Sequence, residues 1–232
     1  MRELEVFMNS FILFGNEHLI ALALGVGISI LFIILAFIVR KDSLAKFLAV
    51  VTLLIKTAEL LYRHRFFGEK FVDLLPLHLC NLVLILAILM MFTSNKIIFQ
   101  PVYFWSIGAL FALITPEIRL GMKDFASISF FITHFFILFS VLFGLIHFNF
   151  RITKAGAVGS FIFLNLIAFG LYFLNKRLGT NYLYVNAPPS TTSPIDFFGP
   201  WPYYIFSVEG LYIALTFIFY LPFSEKKTRY IR

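Results

Sequence analysis

The chain has 232 residues, of which 60% are hydrophobic, 32 are phenylalanine and only 13% are charged. This composition lies far outside the range of soluble globular domains and is typical of a polytopic membrane protein. The net charge of +7 comes from Lys and Arg residues in short loops and near the C-terminus, where anionic lipid head groups account for them, so we expect no nucleic-acid partner.

Seven apolar segments approach the length of about 20 residues that crosses a bilayer core of about 30 Å. In chain order they are His18–Val39, Leu44–Tyr62, Val72–Phe92, Ile97–Thr115, Ala126–Phe148, Ala155–Leu174 and Tyr203–Phe223. One long polar loop separates the last two, and no internal repeat is visible. We therefore predict an all-α polytopic membrane protein, with seven transmembrane helices in a single bundle and one domain over residues 1–232.

An odd number of crossings places the two termini on opposite sides of the membrane. The N-terminal side collects eight basic residues, namely Arg2, Arg63, Arg65, Lys70, Arg119, Lys123, Lys176 and Arg177. The other side collects ten, including the basic residues of the C-terminal tail. The positive-inside rule then predicts an external N-terminus and a cytoplasmic C-terminus. No small-residue cleavage site follows the acidic first residues, so we expect no removable signal peptide.

Polar residues gather near one face of the membrane if consecutive helices alternate in direction. Cys80 and His134 each lie eight residues into a predicted span, which puts both about 12 Å below the same surface at 1.5 Å per residue. The same side holds His18, Glu59, Glu117, Asn181 and Glu209. The opposite half is almost purely apolar, with the exceptions Lys46, Lys56 and His147. Ionisable residues grouped within a membrane indicate a functional site.

A lone cysteine in a membrane helix is usually a small buried side chain, but the neighbours of Cys80 favour a chemical role. Asp73 lies seven positions before Cys80 and shares its helix face. His78 lies two positions away and faces elsewhere unless Pro76 distorts the turn. His134, from another helix, is therefore the better base for Cys80.

The other polar residues near this face have two interpretations. His18 lies at the start of the first span and is expected to be interfacial. Each of Glu59, Glu117 and Glu209 either orients a histidine or pairs with a cation at the interface. The candidate cations are Arg63, Arg65, Arg119 and Lys123.

Six ordered motifs extend over most of the chain. They are Leu75-Pro76-Leu77-His78-Leu79-Cys80, Tyr103-Phe104-Trp105, Leu113-Ile114-Thr115-Pro116-Glu117, Phe131-Ile132-Thr133-His134, Gly179-Thr180-Asn181-Tyr182-Leu183-Tyr184 and Gly199-Pro200-Trp201-Pro202-Tyr203-Tyr204. In order and spacing these motifs resemble the YwaF family of bacterial integral membrane proteins. Eukaryotic relatives of that family are similar to ether-phospholipid acyltransferases. The resemblance implies Cys80 as nucleophile, His134 as its partner and a bacterial plasma membrane as the location.

These residues predict a membrane-embedded lipid acyltransferase or lipid esterase. His134 deprotonates Cys80, the thiolate attacks a phospholipid ester, and the thioester passes its acyl group to a lysophospholipid or to water. Candidate donors to the oxyanion are Asn81, His78 and Asn181. We expect no cofactor, and the sequence carries no signal for a particular oligomeric state.

Two other classes of function compete with this prediction. A metal site would use His78, His134 and His18 with Asp73 or a glutamate, but the sequence lacks the helical His-x-x-x-His spacing of membrane lipid amidases. A non-enzymatic protein that binds or transports lipids or small solutes would use the polar cluster as a one-sided cavity. Transporters usually contain repeated halves, which this sequence does not show.

Overall fold

The computed structural model describes residues 11–118, 120–189 and 194–223. These residues contain seven α-helices and no β-strand: α1 (Asn16–Ile38), α2 (Lys41–Phe67), α3 (Leu79–Thr93), α4 (Lys96–Ile114), α5 (Phe125–Ile146), α6 (Lys154–Leu178) and α7 (Tyr203–Tyr220). Short 3-10 helices lie at Tyr182–Tyr184, Pro194–Phe198 and Leu221–Phe223. Arg2, Arg119 and the basic C-terminal tail, which enter the orientation count, lie outside the described residues.

Five helices are long and apolar enough to cross a membrane, and the chain is therefore a membrane protein. They are α1, α4, α5, α6 and the last helix together with its terminal 3-10 turn, Tyr203–Phe223. Helix α2 is long but interrupted by charged residues, and α3 has only 15 residues. The all-helical prediction is confirmed for the described residues, whereas seven clear membrane-spanning helices are confirmed only in part.

The third helix begins later than the sequence predicts. We predict a start at Val72, but α3 begins at Leu79, and tight turns occupy the segment before it. Pro76 explains the difference, because it lacks a backbone N–H and disfavours helical conformation in the residue before it. The prediction that Asp73 shares a helix face with Cys80 is therefore wrong. Asp73 lies in a turn, where its N–H donates to the carbonyl of Lys70 at 2.9 Å.

Several other helix ends follow directly from the sequence. The side chains of Asn95, Asp124 and Thr153 accept hydrogen bonds from backbone N–H groups two or three residues further on, at 2.7, 3.1 and 2.9 Å. These caps satisfy amide donors that a helix start otherwise leaves unpaired. Helices α2 and α6 end at Gly68 and Gly179, whose φ angles of +70° and +71° suit glycine.

The described chain forms two compact units, the first up to Phe150 and the second from Arg151 onward. In the first unit, α3, α4 and α5 pack against one another, α2 packs against α3 and α5, and α1 packs against α5. The largest side chains of its core are Trp105, Phe99, Phe104 and Phe143. In the second unit, α6 packs against α7. The prediction of a single domain stays a prediction.

Two buried histidines join helices of the first unit. His18 is 0% exposed, its Nε2 donates to the carbonyl of Leu113 at 2.9 Å, and its Nδ1 accepts from the N–H of Phe14 at 3.1 Å. The ring of His18 is thus buried in the protein near the start of α1, and its predicted interfacial position stays a prediction. His147 is also buried, and its Nε2 donates to the carbonyl of Ile33 at 3.0 Å. Both rings make hydrogen bonds to backbone groups that hold α1 against other helices.

Gly25 allows α1 to pack closely against α5. A Cβ atom there would lie 2.1 Å from the ring of Phe135, whereas nothing lies within 4 Å of a Cβ at Gly27. Gly25→Ala is therefore expected to destabilise the protein relative to Gly27→Ala by about 1–3 kcal/mol, the usual cost of overpacking. Both substitutions gain similar helix propensity, so the difference between their unfolding free energies in micelles isolates the packing effect. Equal stabilities of the two variants would contradict this close contact.

Candidate functional site

Cys80 is the second residue of α3, so it lies in the first turn of that helix. His78 occupies the N-cap position with extended backbone, and its side chain makes no capping hydrogen bond. The start of a helix offers unpaired amide donors and the positive end of the helix dipole, both of which stabilise an anion. The Cys80 thiol in this position is partly buried.

The short length of α3 bears on the environment of Cys80. Its 15 residues span about 22 Å at the usual helical rise, less than the bilayer core of about 30 Å. If α3 crosses the membrane, the irregular segment before it enters the bilayer as well. Irregular backbone at that depth is stable only where protein buries it or where it lines a water-filled cavity.

His134 is the tenth residue of α5 and is only 7% exposed. Its Nδ1 lies 2.7 Å from the carbonyl oxygen of Phe130, and the two rings stack with centroids 4.0 Å apart. A carbonyl only accepts hydrogen bonds, so Nδ1 carries the proton and the lone pair of the neutral ring lies on Nε2. Nε2 is buried and has no hydrogen-bond partner among the described residues. This nitrogen can accept a proton or a hydrogen bond.

Cys80 and His134 belong to two helices that pack against each other. The Lys56 ammonium, on α2, interacts electrostatically with both side chains. The thiol and the imidazole are not hydrogen-bonded to each other in this structure, because Nε2 has no partner. The predicted equal depth relied on a continuous third helix. The late start of α3 removes that argument.

Lys56 is a partly buried cation of α2 that is not among the predicted site residues. Its predicted place in the opposite half of the membrane stays a prediction. Its ammonium lies 2.6 Å from the carboxylate of Glu59, one helical turn further along. Glu59 is 4% exposed and also pairs with Arg63 at 3.2 Å. The spacing of these three residues, at i, i+3 and i+7 in an apolar helix, places them on one face and is the signal that could have identified Lys56.

Two charged groups from other elements act on His78. It interacts electrostatically with the Arg63 guanidinium at the end of α2 and with the Glu117 carboxylate after α4. The predicted role of Glu117 stays a prediction. Asn81 follows Cys80 in the first turn of α3 and is partly buried. The roles of His78 and Asn81 as oxyanion donors stay predictions.

The described residues do not contain a group of three or more His, Cys, Asp or Glu side chains that could hold a metal ion. Both ring nitrogens of His18 are bonded to backbone groups. Asp73 lies exposed in a turn. The metal-site alternative therefore lacks a ligand set in this part of the chain.

Two other predicted site residues, Asn181 and Glu209, lie in the second unit. The Asn181 side-chain oxygen accepts from the N–H groups of Asn186 and Ala187, both at 3.3 Å, and its amide donates to the Ala187 carbonyl at 2.8 Å. Glu209 accepts a hydrogen bond from Asn165 at 3.2 Å, which joins α7 to α6. Asn181 thus shapes its own loop, and the predicted roles of both residues in the site stay predictions.

Comparison with known proteins gives one family match. The sequence profile described as the TMEM164 family matches residues 13–220. An uncharacterized protein of Treponema pallidum (strain Nichols) is 30% identical over 222 residues, which cover 94% of this chain and 92% of that protein. No solved structure matches the chain.

Proposed function

The chain belongs to the TMEM164 family, and from this premise and the site geometry we propose that it is a membrane-embedded lipid acyltransferase or lipid esterase. The resemblance to the YwaF family is wrong, because the profile that matches nearly the whole chain is that of the TMEM164 family. The activity is therefore argued from the arrangement of Cys80 and His134 and not from that resemblance.

The state of the His134 ring is the observation that carries the proposal. Its Nδ1–H is held by the Phe130 carbonyl, so the lone pair of the neutral ring lies on the buried Nε2, which has no partner among the described residues. A helix packed against α5 begins with a thiol in its first turn. A thiol becomes an effective nucleophile when a nearby base takes its proton.

The proposed reaction has two steps that balance in atoms and protons. In the first, Nε2 of His134 takes the thiol proton, the Cys80 sulfur bonds to the carbonyl carbon of a lipid ester, and the leaving glycerol oxygen receives the proton. In the second, a lysolipid hydroxyl or water gives its proton to Nε2 and attacks the thioester carbon, the C–S bond breaks, and the leaving Cys80 sulfur takes the proton back from Nε2. The thiol–imidazole hydrogen bond must form as lipid binds, and such bonds are often long in free enzymes.

We propose that α2 and α3 also cross the membrane, which gives seven spans. Helix α2 has ample length, and its charges at Lys56, Glu59 and Arg63 are paired within the helix, which lowers the cost of burial. A bacterial plasma membrane, an external N-terminus and a cytoplasmic C-terminus complete the proposal. A C-terminal fusion to a fluorescent protein that folds only in the cytoplasm tests this orientation. A fusion that does not fluoresce in intact cells would indicate the opposite orientation.

Cys80 is the only cysteine of the chain, which permits a direct test of the acyl-enzyme. Purified protein in vesicles is mixed with a diacyl phospholipid, quenched in acid and examined by intact mass spectrometry. We expect the mass of one acyl chain to be added to the wild type and removed by neutral hydroxylamine, as for a thioester. Cys80→Ala is expected to show neither the adduct nor acyl transfer to lysophospholipid.

Two outcomes of this experiment would overturn the proposal. Unchanged acyl transfer by Cys80→Ala would remove the cysteine from the mechanism. Lipid that co-purifies and exchanges without any adduct or turnover in the wild type would favour the competing function, a non-enzymatic protein that binds or transports lipids or small solutes.

A further inference from the structure

Four charged side chains of alternating sign form a chain of ion pairs that follows α2 and continues into the next loop. Lys56 lies 2.6 Å from Glu59, Glu59 lies 3.2 Å from Arg63, and Arg63 lies 2.6 Å from Glu69. Arg63 also donates from Nε to the second oxygen of Glu69 at 3.0 Å, so that pair is bidentate. One end of this series of ion pairs is the anion Glu69, beyond the end of α2, and the other end is the cation Lys56, within the helix.

The Lys56 ammonium retains donors for another group. The Glu59 oxygen that it approaches lacks a properly oriented hydrogen bond, so the contact is an ion pair without hydrogen-bond geometry. The Lys56 side chain is 17% exposed, whereas that of Glu59 is 6% exposed. Glu59 is also shared with Arg63. Lys56 is therefore partly exposed and is only partly neutralised by its neighbour.

The position of Lys56 indicates what kind of group it would bind. Its helix α2 packs against α3 and α5, which carry Cys80 and His134, and its ammonium interacts electrostatically with both side chains. A charge with little access to water is stable when it is paired. A further anion beside Lys56 would pair with its ammonium and extend the series of alternating charges. In a membrane, the anion linked to an ester through a glycerol backbone is the phosphate of a glycerophospholipid.

We propose that Lys56 is a specificity-determining residue that binds the phosphate of a glycerophospholipid while the ester of that lipid faces Cys80. This inference rests on the proposed acyl-transfer function. Glu59 holds the ammonium in place, and Arg63 with Glu69 holds Glu59. The site then prefers phospholipids to neutral glycerides, because a neutral glyceride has no group to pair with Lys56.

A binding experiment tests the inference without relying on catalysis. Native mass spectrometry in micelles compares the binding of phosphatidylglycerol and diacylglycerol with identical acyl chains, using a Cys80→Ala background that prevents turnover. Lys56→Met is expected to weaken phosphatidylglycerol binding by about 10-fold or more, as for a lost charge-assisted hydrogen bond, and to leave diacylglycerol binding unchanged. Lys56→Arg keeps the charge, and its affinity for phosphatidylglycerol is expected to stay within about 3-fold of that of the parent protein.

Two control variants separate this effect from changes in folding or overall charge. Lys46→Met removes an exposed lysine near the start of the same helix and should leave the binding of both lipids unchanged. The double substitution Lys56→Met with Glu59→Gln keeps the charge balance, so it should fold and still lose phosphatidylglycerol binding. Equal weakening of both lipids, or no weakening of either, in a folded Lys56 variant would overturn the inference.

An activity experiment distinguishes phosphate binding from a role in the reaction itself. If Lys56 binds phosphate, Lys56→Met raises KM for a phospholipid donor and changes neither kcat nor the cleavage of diacylglycerol. If it stabilises the oxyanion, kcat falls for both donors, and the phosphate assignment is wrong. If the wild type has no acyl-transfer activity, the proposed function fails, whereas the binding experiment still decides the role of Lys56.

Discussion

His134→Asn is expected to lower kcat/KM for acyl transfer by about 100-fold or more, the usual contribution of a general base. An asparagine amide can still donate to the Phe130 carbonyl, as Nδ1 does at 2.7 Å, so the local helix hydrogen bond is kept. What is lost is the lone pair at Nε2, which accepts the proton in both steps. Initial rates with radiolabelled phospholipid in vesicles, normalised to folded protein, measure the effect.

His147→Asn is a matched control, because His147 is likewise a buried histidine of the first unit, at the C-terminal cap of α5. Its ring nitrogen bonds to the Ile33 carbonyl, so the substitution is expected to lower thermal stability while the activity per folded molecule is kept. Should His134→Asn retain activity within about 3-fold of the wild type, His134 cannot be the base in a mechanism of this kind.

The sequence predicted the number and type of the helices better than it predicted where each begins. Apolar length locates the helices, and capping residues such as Asn95 and Asp124 fix starts within a residue or two of the prediction. The third helix differs because the apolar segment begins at residue 72, whereas the helix itself begins only at Leu79. Pro76 was visible in the sequence, but a proline within the first turn of a helix is also allowed, so residue type alone did not decide the boundary.

The candidate site was predictable as a set of residue types and not as a geometry. Cys80 and His134 were identified by chemistry, and helix packing shows that they lie on adjacent elements. The hydrogen bond between His134 and Phe130, which leaves Nε2 free, depends on a side-chain rotamer that no sequence pattern specifies. The pairing of Lys56 with Glu59 was missed because a depth count along the chain ignores that residues one helical turn apart can pair and share a face.

Glu59→Gln is expected to destabilise the first unit by about 2–3 kcal/mol, at or just below the lower end of the range for breaking a buried ion pair. Glu59 is 4% exposed and lies between Lys56 and Arg63, so its loss leaves two cations without the anion between them. The estimate is reduced because the Lys56 and Arg63 side chains are 17% and 33% exposed, and because Arg63 keeps Glu69 as a partner. Unfolding in mixed micelles measures the loss. Adding Lys56→Met should recover about 1 kcal/mol by removing the unpaired ammonium, and no recovery would show that the two side chains are not coupled.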